Sequence, residues 1–385
     1  MPLKVMTIFG TRPEAVKIAP LVKELASRPQ IASTCCITAQ HREMLDDVLC
    51  LFEITPDYDL DIMETGQSLY TITSKCLLGM EKVFAREKPD LVLVHGDTST
   101  TFSGALAAFY QKIAVGHVEA GLRTWDRYSP FPEEMNRSMV GRLARLHFCP
   151  TRTNKRNLEN EGVKSGLFIT GNTVIDALKT TVRPDYRFRT DLLNHLDYEG
   201  KRVILITCHR RENYGRPMTN IMRALRRIAE DFPETELVYP VHLSPVVQKA
   251  ARGHLSGHPR IHLIDPLTPD EMHNLMARSY LVMTDSGGLQ EEAPALGRPV
   301  LVLRRETERP EAVAAGTVRL AGTEEQPIYD HAASLLTDSA AYEAMARAVN
   351  PYGDGNACRR IADAILWTNG LRDAPPEEFT SGIER

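Results

Sequence analysis

Apolar residues fall along this chain in short runs, separated by longer stretches in which they recur every three or four positions. The runs predict strands at Lys4–Phe9, Thr34–Thr38, Leu91–His95, Ala114–Val118, Leu146–Cys149 and Leu167–Ile169. A second series follows at Val203–Thr207, Leu237–Pro240, Ile261–Leu263, Leu281–Thr284, Val300–Val302 and Val318–Leu320. Stretches between them, such as Pro13–Ser27, Ser99–Gln111, Pro217–Asp231 and Asp270–Arg278, have the 3.6-residue period of amphipathic helices. Strands that are apolar throughout and alternate with helices imply parallel sheets covered on both faces, an α/β fold of two doubly wound, Rossmann-like domains. The rhythm falters from Val182 to Lys201, a polar segment with Pro184 and Gly200. The expected division is therefore an N-terminal domain at 1–182 and a C-terminal domain at 183–355. Residues 356–385 hold a helical pattern, Asn356–Asn369, that is a candidate for crossing back to the first domain, and a tail. Open sheets of this kind bind ligands outside the carboxyl ends of their strands, so the expected site is a cleft faced by both domains.

Composition narrows the function classes. The 385 residues, 43% of them hydrophobic, are enough for two cores. A net charge of −4 with acids and bases interleaved offers no basic face for a nucleic acid or an anionic membrane. No apolar run approaches the ~20 residues of a membrane span, and Met1–Leu25 is charged where a signal peptide would be apolar. Seven cysteines without a C-x-x-C pair fit neither a disulfide framework nor a zinc site. No histidine pair has convincing metal spacing, so no metal is expected, and a cytoplasmic location fits best.

Chemistry-bearing residues gather where strands end. Gly10-Thr11-Arg12-Pro13 after the first strand reads as a strand-to-helix turn whose amides, with Arg12 and Lys17, would hold an anion. One glycine there is too few for a dinucleotide fingerprint, which disfavours a nicotinamide cofactor. A second such turn, Asp285-Ser286-Gly287-Gly288, has Ser286 as expected N-cap and two glycines exposing N–H groups to a diphosphate. Glu292, in the helix it opens, can accept from both ribose hydroxyls, while Glu291 points about 100° away. Asp97 and Glu119 terminate neighbouring strand candidates, and Glu133 starts a helix with Arg137 one turn later on the same face. Three acids gathered at one set of element ends exceed what stability requires. His209 ends the first strand of the second domain beside Arg210 and Arg211, a suitable place to meet a leaving phosphate.

Over nearly its whole length the chain resembles the non-hydrolysing UDP-N-acetylglucosamine 2-epimerases. The match is carried by Phe9–Lys17, His95–Thr101, Gly116–Thr124, Pro130–Arg137, Gly171–Asp176, His209–Asn213, Thr284–Pro294, Arg305–Glu311 and Asn350–Gly355. The resemblance implies a glycosyltransferase-B-like fold, a homodimer, and reversible conversion of UDP-N-acetylglucosamine to UDP-N-acetylmannosamine without a cofactor. It implies elimination of UDP to 2-acetamidoglucal and re-addition, feeding cell-surface polysaccharide synthesis. Matching positions give UDP-sugar binding to Arg12, Lys17, Arg137, His209, Ser286, Gly287, Gly288, Glu292 and Arg309. They give the chemical step to Asp97, Glu119, Glu133 and His209. Gln40, His41, Gln67, Arg210 and His242 match an activating second UDP-N-acetylglucosamine site, with Gly66 where relatives commonly carry arginine. A UDP-sugar glycosyltransferase and a hydrolysing 2-epimerase would use the same grip on UDP, but simple transfer needs no base at C2. A catalytically silent sugar-nucleotide sensor could dispense with all three acids.

Overall fold

A computed structural model describes residues 1–39, 42–64 and 66–381. The chain divides into two compact units. The first comprises Met1–Thr180 and Tyr352–Thr380, and the second contains Thr181–Pro351.

In the first unit, β1 (Leu3–Phe9), β2 (Ile31–Ile37), β3 (Tyr58–Asp59), β4 (Leu91–His95), β5 (Ala114–Val118), β6 (Leu146–Cys149) and β7 (Leu167–Ile169) form one sheet. Its order is β3-β2-β1-β4-β5-β6-β7, and every pairing is parallel. β4 is buried at all five positions, as a strand covered on both faces must be. Val5, Phe9, Leu91 and Leu93 face a core with the helix Arg12–Ala26, whereas Met6, Ile8, Val92 and Val94 face the opposite core. That split is the two-residue period of the strand. The helix Arg12–Ala26 buries Ala15, Ile18, Ala19, Leu21, Val22 and Leu25, three or four positions apart.

The return segment completes this unit. Helix Ala357–Thr368 places Ile361, Ala362, Ala364 and Ile365 in the core shared with Arg12–Ala26. Asp176 fixes its start by accepting from the N–H groups of Ala357 at 3.1 Å and Cys358 at 2.9 Å, which caps two amides that would otherwise be unanswered. β3 was not expected from the pattern. Only two residues long and preceded by Pro56, it joins β2 through the pairings Cys36–Tyr58 and Ile37–Asp59.

The second unit has β8 (Arg202–Thr207), β9 (Thr235–Pro240), β10 (Ile261–Ile264), β11 (Leu281–Thr284), β12 (Val300–Val302) and β13 (Val318–Leu320). Their order is β10-β9-β8-β11-β12-β13, again all parallel. Both sheets are thus doubly wound, as the alternating pattern predicted. No helix among the described residues is long and apolar enough to cross a membrane.

Two glycines should respond oppositely to an added methyl group. At Gly121, with φ +89°, a Cβ would lie 2.2 Å from the carbonyl oxygen of Asn154. Gly253 sits exposed in the helix Pro245–Leu255 with nothing within 4 Å. Gly121→Ala is expected to destabilise the protein by about 1–3 kcal/mol or more through overpacking and strain. Gly253→Ala should stabilise it by about 0.5–1 kcal/mol. Urea denaturation of the two variants checks both signs.

Candidate active site

In the first unit the strand order changes direction between β1 and β4, and ligands of doubly wound sheets bind beyond the carboxyl ends at such a point. β1 leads there to Gly10, β4 to Asp97 and β5 to Glu119. The turn after β1 differs from expectation. Glu14 reaches back and accepts the N–H groups of Gly10 at 3.1 Å and Thr11 at 2.8 Å, with the Thr98 hydroxyl at 2.7 Å. Burial pushes the Glu14 pKa up, and these hydrogen bonds oppose the shift. The amides of Gly10 and Thr11 are answered internally, so an anion here would meet the side chains of Arg12 and Lys17 instead.

Lys17 forms an ion pair with Glu119, whose Oε1 also accepts from Asn172 Nδ2 at 2.9 Å. Glu119 has φ +61°, in the left-handed region that a non-glycine residue occupies at a cost of roughly 1–3 kcal/mol. Such strain persists where the surroundings over-determine the backbone, commonly at functional sites. Asp97 accepts from Arg137 Nη2 at 2.6 Å, and its carbonyl oxygen accepts from Asn136 Nδ2 at 2.9 Å. Burial pushes the Asp97 carboxyl up to about 6; Arg137 opposes this, and Glu119 and Glu133 reinforce it. Glu133 begins the helix Glu133–Leu143 and is half-buried. Arg137 turns to Asp97 and to Glu134, 3.4 Å away, rather than to Glu133. Glu134 is a scaffold, accepting from the backbone of Thr124 and Trp125 at 3.1 Å each.

In the second unit β8 and β11 are adjacent and lead to His209 and Asp285. Asp285 is fully buried, and its Oδ2 accepts from the backbone of His209 and Arg210 at 2.8 Å each and from Asn213 Nδ2 at 3.0 Å. His209 stacks on His242, with ring centroids 5.1 Å apart and planes 11° from parallel. Burial lowers the His209 pKa, with Asp285 opposing and His242 and Arg210 lowering it further. Ser286 is not the N-cap: the helix is Leu289–Ala295, capped by Gly288, and the Ser286 N–H donates to Thr284 Oγ1 at 2.9 Å. A Cβ on Gly287 would lie 3.9 Å from Nη2 of both Arg210 and Arg309 and 3.7 Å from Glu308 Oε2. Two guanidinium groups thus converge on the glycine turn, a fit for a diphosphate. Glu292 Oε1 is 3.1 Å from where a Gly288 Cβ would be, whereas Glu291 is buried and pairs with Arg309.

The residues expected to bind an activator come from different parts of the chain. Gln40 and His41 lie outside the described residues, and Gln67 belongs to the first unit. Arg210 and His242 accompany His209 and the Gly287 turn in the second. Three contributors escaped the residue-by-residue reading. Asn172 holds Glu119, and its signal was the segment Gly171–Asp176. His95, the last residue of β4, is buried, and burial pushes its pKa down to about 4 with Glu119 opposing. Neither of its ring nitrogens has a hydrogen-bond partner among the described residues. Asp285 belongs in the sequence to a turn, and its task of gathering three N–H groups depends on the loop after β8, far away in sequence.

A family profile described as UDP-N-acetylglucosamine 2-epimerase matches residues 23–366. The UDP-N-acetylglucosamine 2-epimerase of Bacillus subtilis is 56% identical over 380 residues, covering 98% of this chain and 99% of the relative. A solved structure of UDP-GlcNAc 2-epimerase from Neisseria meningitidis bound to UDP-GlcNAc superposes with a TM-score of 0.85 at 49% identity, covering 95% and 100% of the two chains. A structure of the Methanocaldococcus jannaschii UDP-GlcNAc 2-epimerase in complex with UDP-GlcNAc and UDP gives 0.77 at 31% identity, covering 95% and 100%.

The raised Asp97 pKa has a stability consequence. The folded protein holds this proton up to about pH 6, while an unfolded chain loses it near 3.8, so ionisation opposes folding as pH rises through that window. Asp97→Asn, which keeps the neutral shape, should therefore be more favourable to stability at pH 8 than at pH 4, by about 1–3 kcal/mol. Denaturation curves of variant and wild type at the two pH values measure the difference.

Proposed function

The chain belongs to the UDP-N-acetylglucosamine 2-epimerase family, and from that premise we propose that it inverts C2 of UDP-N-acetylglucosamine by removing UDP and adding it back. The C2 hydrogen is not beside a carbonyl, so a carbanion there would have nothing to stabilise it. Loss of the proton must accompany loss of the leaving group. A carboxylate takes the C2 proton, the C–H electron pair becomes the C1–C2 double bond, and the C1–O bond breaks with its pair leaving on UDP. The intermediate is 2-acetamidoglucal. Return of a proton from a second acid to the opposite face of C2, with the UDP oxygen adding again at C1, gives UDP-N-acetylmannosamine; the base is left protonated and the acid ionised, and proton exchange with solvent resets both.

The observation that carries this reading is the pair of acids at adjacent strand ends in contrasting surroundings. Asp97 has a carboxyl pushed up to about 6, near working pH, where a group both accepts and returns protons readily. Glu119 is ion-paired with Lys17. Environments that set two carboxyl groups apart are how one site assigns acid and base roles. Glu133 completes the acid set in this reading. Charge developing on the departing diphosphate is met by Arg12, Lys17, Arg210, Arg309, the Ser286–Gly288 turn and the imidazole of His209. Preorganised donors of this kind lower a barrier by a few kcal/mol each. The Neisseria meningitidis relative bound to UDP-GlcNAc supports the choice of substrate.

The cytoplasm is the compartment this reading assigns, supported by seven free cysteines, six of them buried. The assigned partner is a second copy of the chain. Its contact would use the exposed Tyr70, Leu78, Phe109 and Tyr110 of helices Leu69–Glu87 and Ser99–Tyr110, which pack against each other. Sedimentation equilibrium should find a dimer that Phe109→Glu with Tyr110→Glu converts to monomer.

In deuterated water, UDP-N-acetylglucosamine incubated with the protein should yield UDP-N-acetylmannosamine carrying deuterium at C2, followed by proton NMR. Product that keeps all of its substrate hydrogen would exclude the route. Glu119→Gln is expected to slow both exchange and turnover by ~10²-fold while UDP affinity, measured by calorimetry, stays within a few-fold.

A further inference from the structure

Helix Pro269–Arg278 carries a histidine on its buried side that none of the chemistry above uses. His273 is only 3% exposed and neighbours the buried Asn274, Leu275 and Met276. Burying an imidazole is costly unless its nitrogens are answered. Here Nδ1 lies 2.7 Å from Thr181 Oγ1, and Nε2 lies 3.4 Å from Glu292 Oε2. Thr181 is anchored in turn, its carbonyl oxygen accepting from Asn274 Nδ2 at 2.7 Å. A buried line of Thr181, His273 and Glu292 therefore ends on the carboxylate whose other oxygen lies against Gly288. Nε2 thus faces the Glu292 carboxylate, while Nδ1 and the Thr181 hydroxyl share a hydrogen bond on the other side of the ring.

We propose that His273 is a positioning residue for nucleotide recognition: it holds the Glu292 carboxylate in the one orientation that receives the ribose hydroxyls and so makes the 2′-hydroxyl a determinant of specificity. The proposal rests on the reading that Glu292 takes the ribose. A glutamate has three rotatable side-chain bonds, and ordering them on binding costs affinity. An imidazole locked from behind by a threonine removes that cost in advance, because one carboxylate oxygen is already held when the nucleotide arrives. A site built to bind a hydroxyl rejects the analogue that lacks it, since its own polar group is then left unanswered. The sharper the orientation of Glu292, the larger that discrimination becomes. A histidine serving only to tie Thr181 to its helix would affect stability and leave discrimination untouched.

The test is calorimetric binding of UDP and 2′-deoxy-UDP to the full-length protein and to Glu292→Ala, His273→Leu and His273→Gln. Wild type should prefer UDP by roughly tenfold, and Glu292→Ala should abolish the preference. His273→Leu should reduce it to about threefold or less with 2′-deoxy-UDP affinity little changed, and His273→Gln, whose amide can donate to Glu292, should restore most of it. If Glu292→Ala loses the preference and His273→Leu keeps it, the inference falls and the ribose reading stands. If Glu292→Ala keeps the preference, the ribose reading falls and takes the inference with it. Should His273→Leu fail to fold, Thr181→Val, which removes the hydroxyl behind the imidazole, must show the same loss to a smaller degree; an unchanged preference there overturns the proposal.

Discussion

A backbone amide withdrawn from water has to find an acceptor inside the protein, and at the loops of both units carboxylates take that part. Glu14 accepts from Gly10 and Thr11, Glu134 from Thr124 and Trp125, and Asp176 from Ala357 and Cys358. Asp285 does the same for His209 and Arg210. An unanswered buried amide costs about 1–3 kcal/mol, so removing Glu14 or Asp176 would release two such groups at once. The candidate side chains are thereby held by loops whose backbone N–H groups are already answered. The two neighbouring acids differ: Glu134 ties down the backbone, while the adjacent Glu133 is half-buried at the start of its helix.

The same arrangement sets the electrostatics. Asp97 is drawn out of water and given a single strong partner in Arg137, which is shared with Glu134. One guanidinium divided over two carboxylates compensates burial only partly, and the Asp97 carboxyl settles near 6 rather than in the usual carboxylate range. Glu119 meets a different balance, with Lys17 and Asn172 both turned to it and its backbone in the left-handed region. The site therefore stores unfavourable charge and unfavourable backbone conformation side by side, which a region selected for stability alone would not retain.

Most of the architecture was legible in the sequence because parallel strands buried on both faces leave uninterrupted apolar runs such as Leu91–Val94. β3 was not, since two residues at a sheet edge carry no period. The acids were legible for a geometric reason: a charged residue directly after such a run must lie at the strand's carboxyl end. What escaped was every relation made across sequence. Gly10-Thr11 has the local pattern of an anion-binding turn, yet Glu14 fills it, and Ser286 has the pattern of a cap, yet the helix begins after Gly288. Lys17 and Arg309 read as cations for phosphate, yet Glu119 and Glu291 also claim them. Local pattern reports which face a residue occupies. It cannot report which partner arrives there from another strand.

The first unit is written in two pieces, with its last helix encoded after the whole of Thr181–Pro351. During synthesis the ribosome must produce that entire insert before Ala357–Thr368 emerges, an interval of tens of seconds at ordinary elongation rates. Throughout it the apolar flank of Arg12–Ala26 that will receive Ile361 and Ile365 lacks its cover. Translation speed and holding chaperones thus bear on the yield of this protein more directly than on one whose units follow one another uncut.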